Sequence, residues 1–119
     1  MKNTSELQNT IVEGIQERKG KNITVIDLSE IESASSQGFI ICEGTSATHV
    51  ASIADSVREY VQTKTGIKPY NYDGYRNSQW IVIDYGELMI HIFLPEFRTF
   101  YSLEQLWSDA PITQIENLD

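Results

Sequence analysis

The sequence predicts an α/β (α+β) domain in which helices pack on a mixed sheet of about five strands. Two stretches space their apolar residues at helical intervals: Leu7, Ile11, Val12 and Ile15, then Val50, Ile53, Ala54, Val57 and Val61. Short strand-like runs, β-branched or apolar, stand apart from them, at Ile23–Leu28, Phe39–Cys42, Trp80–Tyr85 and Leu88–Leu94. The two kinds alternate as helix, strand, strand, helix, strand, strand, strand, helix, an order that lays helices on a sheet.

Each element has its own warrant. The first helix runs from about Ser5 to Lys19. Ser5 with Gln8 three residues on resembles a capping box, and Arg18-Lys19-Gly20 is a stop. Ile23–Leu28 is a strand, and a serine-rich link from Ser29 to Gly38 follows. Phe39–Cys42 is an unbroken apolar run, as expected of a strand buried on both faces. Thr45 or Ser46 caps the second helix, which extends to about Lys64 and ends at Gly66. Lys68–Tyr72 is a weakly marked strand followed by a turn at Asp73-Gly74. Trp80–Tyr85 and Leu88–Leu94 form a hairpin about Gly86-Glu87, and Pro95 closes the second strand. Leu103, Leu106 and Trp107 belong to a short last helix. Ala110-Pro111 ends the domain, residues 1–110, and 111–119 reads as a polar, acidic tail.

The 119 residues suffice for one domain, and 40% hydrophobic with 22% charged residues is a globular composition. Cys42 is the lone cysteine, so no internal disulfide is possible. Apolar runs such as Ile81–Ile83 and Leu88–Ile90 are far short of a membrane span. Met1–Glu6 has neither a signal-peptide nor a transit-peptide pattern, and the expected location is cytoplasmic. The net charge of −8, with nine Lys and Arg scattered along the chain, argues against direct nucleic-acid binding. It suits a basic protein partner, although acidity also simply keeps a protein soluble.

Three stretches carry a family resemblance. They are Phe39–Val50 with Ser52–Asp55, Trp80–Glu87 running into Ile90–Phe93, and Arg98–Trp107. Their residues, order and spacing resemble the Iojap, or ribosomal silencing factor, family from the first helix to about Ala110. The resemblance implies a translational repressor that binds the large ribosomal subunit through ribosomal protein fourteen and sterically blocks joining of the small subunit. It also implies a homodimer when free, no cofactor, and a fold similar to nucleotidyltransferases.

That fold makes an enzyme the rival reading. Gly44-Thr45-Ser46, at a helix N-terminus after a strand, could cradle a phosphate. Nucleotidyl transfer would also need clustered carboxylates for magnesium, whereas Asp55, Asp84 and Glu87 are dispersed. A glycine followed by a helix cap accounts for the segment without chemistry. Cys42 and His49 could form a nucleophile and base, but a cysteine inside an apolar strand is ordinarily a small buried hydrophobe. His49 and His91 are the only histidines, and no metal-ligand spacing occurs. A third reading is a homodimeric adaptor without a ribosomal role.

For partner binding the candidates are Trp80, Asp84, Tyr85, Glu87, His91, Arg98 and Tyr101. Alternation sends Trp80, Val82 and Asp84 to one face and Ile81, Ile83 and Tyr85 to the other. The isoleucine face is a core face, whereas a tryptophan and a carboxylate are an odd core inventory and a good interface one. The alternative is a helix covering Trp80, but the resemblance matches this tryptophan to one at the family's ribosomal-protein contact. His91 shares a face with Met89 and Phe93, as a satisfied core histidine or as part of a surface patch. Arg98 either pairs with an acidic surface group or stays free for a partner. Phe100, Leu103, Leu106 and Trp107 are expected to pin the last helix to the sheet.

Overall fold

The computed structural model describes residues 4–34 and 36–118. Ten elements follow one another: α1 (Thr4–Glu17), β1 (Lys21–Asp27), β2 (Gly38–Glu43), α2 (Ala47–Thr65), β3 (Asn71–Asp73), β4 (Trp80–Asp84), β5 (Leu88–Phe93), α3 (Pro95–Tyr101), α4 (Leu103–Leu106) and β6 (Ile112–Ile115). The architecture is the predicted mixed α+β one, with six strands in the order β3-β4-β5-β2-β1-β6. Among the described residues, β2 and β5 pair in parallel and every other neighbouring pair is antiparallel.

Both helical stripes do what their spacing requires. Leu7, Ile11 and Ile15 of α1 and Val50, Ile53, Val57 and Val61 of α2 are buried against Ile23, Ile40, Cys42, Ile81, Ile83, Ile90 and Ile92 of the sheet. The helices are tied to each other where the Ser56 hydroxyl donates to the Gly14 carbonyl at 2.8 Å. Ser46 caps α2 by accepting from the His49 N–H at 3.1 Å. Gly66 ends it with φ 75°, a left-handed conformation that a side chain would strain. Because α1 already includes Thr4, Ser5 lies within the helix and not at its cap.

The opposite face of the sheet has a smaller cover. Ile26, Leu28, Ile41, Phe93 and Ala110 are buried there, with Phe97, Leu103 and Trp107 packed on them. The chain therefore returns across the sheet after β5. Four expectations change in the structure. First, the last helical region is two short helices. They meet at Ser102, whose φ of 49° breaks the helical phase. Phe100 and Leu103 consequently lose their common face: Phe100 (78% exposed) and Leu106 (70%) pin nothing, while Leu103 and Trp107 pack as expected. Second, Pro95 does end β5, and it also opens α3, where a missing N–H costs nothing. Third, the weakly marked strand after α2 is shorter and later than Lys68–Tyr72.

Fourth, residues 112–115 of the expected tail form the sixth strand. β6 lies against β1 with Ile23 opposite Ile115 and Ile26 opposite Ile112. The Asp27 N–H donates to the Pro111 carbonyl at 2.9 Å, and Asn117 accepts from the Asn22 N–H at 2.7 Å. An edge strand held by its backbone needs no apolar alternation, so its composition resembles that of a tail. Ser35 in the serine-rich link, and Asp119 at the end of the expected tail, lie outside the described residues.

Candidate functional site

The hairpin of β4 and β5 builds the site. Burial along β4 alternates strictly: Ile81 and Ile83 are buried on the helical side, and Trp80, Val82 and Asp84 are half-buried on the other. The register sets Trp80 opposite Phe93, Val82 opposite His91 and Asp84 opposite Met89. Parallel pairing of β2 with β5 brings Phe39 beside Met89. A strip of aromatic and apolar side chains results, with a carboxylate at one end.

Trp80 sits at the other end of this strip. Its ring stacks on Phe93 (centroids 5.0 Å apart, 23° between planes) and lies 4.5 Å from Tyr101. Its indole N–H donates to His91 Nδ1 at 3.1 Å. A helix does reach it, since Tyr101 ends α3, but the cover is partial: Trp80 stays half-buried and Tyr101 is 46% exposed. His91 is buried, with the Phe39 ring edge-on at 4.7 Å. Burial lowers its pKa from 6.5 to about 4. Its Nε2 has no hydrogen-bond partner, so as a core histidine it is satisfied on one nitrogen only.

The acidic end is ordered by the turn. Asp84 Oδ1 accepts from the Gly86 N–H at 2.7 Å, and Gly86 has φ 84°. Glu87 is half-buried, and its carbonyl accepts from the Gln37 and Gly38 N–H groups at 2.8 and 3.2 Å, tying the turn to the start of β2.

Two candidates belong elsewhere. Tyr85 is 3% exposed, on the core side with Ile81 and Ile83, where alternation sends it. Burial raises its phenol to about 12. Arg98 is 8% exposed and internally bonded. Its guanidinium donates to Glu104 at 2.6 and 2.9 Å, Glu43 at 3.1 Å, the Thr24 hydroxyl at 2.8 Å and the Asn22 carbonyl at 2.7 Å. It clamps β1, β2 and α4 together, so of the two outcomes left open for it the structure has the paired one. The structure adds Phe39 and Met89 to the strip. Alternation along β5 already gives Met89 the face of His91 and Phe93; the side of Phe39 follows from the β2–β5 register, which no pattern within its own segment reveals.

The Gly44-Thr45-Ser46 segment is committed to structure. The Gly44 N–H donates to the Phe93 carbonyl at 2.9 Å and the Thr45 N–H to His49 Nδ1 at 2.8 Å. A Cβ on Gly44 would stand 2.8 Å from the Val50 nitrogen, so close packing accounts for the glycine. His49 Nε2 reaches the Arg18 carbonyl at 2.6 Å, joining the start of α2 to the end of α1. Cys42 is fully buried, and its thiol is pushed up to about 12 by burial. Among the described residues, no group of three or more His, Cys, Asp and Glu is placed to hold a metal ion.

A family model described as "Ribosomal silencing factor during starvation" matches residues 1–119. The chain belongs to this family. "Ribosomal silencing factor RsfS" from Halalkalibacterium halodurans is 31% identical over 113 residues, which are 95% of each chain. A mouse protein, "Mitochondrial assembly of ribosomal large subunit protein 1", is 32% identical over 100 residues, 82% of this chain and 43% of the mouse one. A crystal structure of a Chromobacterium violaceum protein superposes with a TM-score of 0.84 at 28% identity, over 90% of this chain and 88% of that one. The family is the one that the three sequence stretches resemble.

Proposed function

We propose that this chain silences ribosomes by docking on the large subunit through ribosomal protein fourteen and occluding the surface that the small subunit must meet. The observation that carries the reading is the ribosomal silencing factor model matching residues 1–119. The words "ribosomal large subunit" in the mouse relative's name support that subunit as the target.

The strip on β4 and β5 has the chemistry such docking needs. A half-buried tryptophan beside an exposed tyrosine buries wide rings at small entropic cost. The carboxylate of Asp84 and the net charge of −8 suit a basic ribosomal protein. The fold measures 35 × 33 × 28 Å, so it would hold two surfaces far beyond contact distance. Occlusion of this kind is steric and requires no cofactor and no catalytic step. Added to separated subunits, the protein is expected to reduce joined ribosomes in proportion to dose. Undiminished joining at saturating, demonstrably bound protein would refute the mechanism.

Trp80 is the energetic centre in this reading. Trp80→Ala is expected to weaken large-subunit binding by at least about 2 kcal/mol, some thirtyfold. Because the ring also stacks on Phe93 and Tyr101, binding is to be referred to the folded fraction. Asp84→Asn keeps an oxygen for the Gly86 N–H and removes only charge. It should slow association in a salt-dependent way.

A further inference from the structure

His91 is an expensive residue where it stands. It is 5% exposed, its ring neighbours are Phe39, Trp80 and Phe93, and its Nε2 has no hydrogen-bond partner. An apolar side chain would fill the same space and bring no unsatisfied polar atom of its own. What the imidazole alone supplies is the Nδ1 acceptor, 3.1 Å from the Trp80 indole nitrogen. Accepting there requires Nδ1 to be unprotonated, which puts the hydrogen of the neutral ring on Nε2. The low pKa of the ring, about 4, keeps that acceptor present at neutral pH.

Trp80 also makes ring contacts with Phe93 and Tyr101 and packs against the smaller core. Stacking limits the plane of an indole but tolerates sliding and rotation within it. A hydrogen bond to the ring nitrogen is directional and removes that freedom. The bond comes from β5 and the tryptophan from β4, whose register is set by their pairing.

We infer that His91 is a positioning residue that, through Nδ1, holds the Trp80 indole in the orientation in which its exposed part meets the ribosomal partner. This rests on the docking reading above. A side chain fixed before contact loses less entropy on binding, so the benefit appears as affinity.

The test is a double-mutant cycle read by co-sedimentation with purified large subunits. His91→Leu removes the acceptor and should weaken binding by about tenfold. His91→Asn, whose side-chain oxygen can take the place of Nδ1, should restore most of the loss. Trp80→Phe lacks the N–H, so adding His91→Leu to it should cost nothing further, whereas a merely structural role would cost the same in both backgrounds. An NMR spectrum of the free protein supplies the second readout. The Trp80 indole N–H should shift and exchange faster in His91→Leu and not in His91→Asn, with Trp107→Phe used for assignment. An equal loss in both backgrounds, or unchanged binding by His91→Leu, overturns the inference and leaves the docking reading intact. A wild-type protein that does not sediment with large subunits overturns the docking reading and this inference with it.

Discussion

Lowering the pH should destabilise this fold through His91 before the carboxylates titrate. In the unfolded chain the imidazole has its ordinary pKa of 6.5, and in the folded protein burial lowers it to about 4. Between those values the unfolded state binds the proton and the folded state does not. Stability therefore rises with pH across the window. The contribution is fully present above pH 6.5 and is lost progressively as pH falls toward 4. At about 1.4 kcal/mol per pH unit, moving from neutral pH to about pH 5 costs roughly 2 kcal/mol, and the whole window roughly 3 kcal/mol. Urea unfolding of the wild type and His91→Asn across this range isolates the effect, because every other titratable group is common to both. The wild-type midpoint should fall more steeply with acid, and the two curves should diverge only below about pH 6.5. Parallel curves would mean that His91 gains its proton equally well in both states, and the reasoning from burial would fail.

Arg98→Met should destabilise by about 3–5 kcal/mol in urea unfolding, because Glu43 and Glu104 would lose their shared cation; a loss under about 1 kcal/mol would show a solvated pair. Truncation after Ala110 removes β6 and should speed amide exchange along Ile23–Ile26, where β1 would become an edge; unchanged exchange would refute the pairing. Ser46→Ala should cost about 0.5–2 kcal/mol through the lost cap and leave ribosome binding intact. Nucleotide transfer that depends on Ser46 or Asp84 would instead revive the enzymatic reading.

Much of the fold was legible because burial in it follows simple periods. Val50, Ile53, Val57 and Val61 face the sheet since α2 has one apolar stripe, and Ile81 and Ile83 face α2 since a strand alternates. β6 was illegible for the opposite reason. Ile112 is 41% exposed and Ile115 only half-buried, so the strand leaves little hydrophobic trace. What holds it is the backbone of β1, ninety residues back in the chain, and a backbone has no signature in composition. The break at Ser102 was hidden similarly. A serine with φ 49° is an outcome of packing on both sides, and no turn residue announces it.

The site was legible in its facing and not in its neighbours. Period-two reasoning separates Trp80, Val82 and Asp84 from Ile81, Ile83 and Tyr85, and Tyr85, a candidate for partner binding from its place in the stretch, is buried on the side that alternation assigns to it. It cannot say what lies beside a residue, because that depends on register and on where the chain returns. Trp80 meets Phe93 through pairing and Tyr101 through the return of α3. Arg98 is the sharper case. One arginine next to a run of aromatics has the composition of an interface, yet its partners Asn22, Thr24 and Glu43 come from β1 and β2. A guanidinium can be buried only where several acceptors converge, and convergence belongs to the tertiary fold. The strip around Trp80 is therefore braced from two sides. Tyr101 contacts the indole directly, and Arg98, in the same helix, fastens that helix to β1 and β2. Loosening Arg98 should weaken docking without removing a contact, by freeing the helix that carries Tyr101. That effect on binding separates a brace from a residue of the contact itself, since it should vanish in a protein whose Trp80 is already replaced.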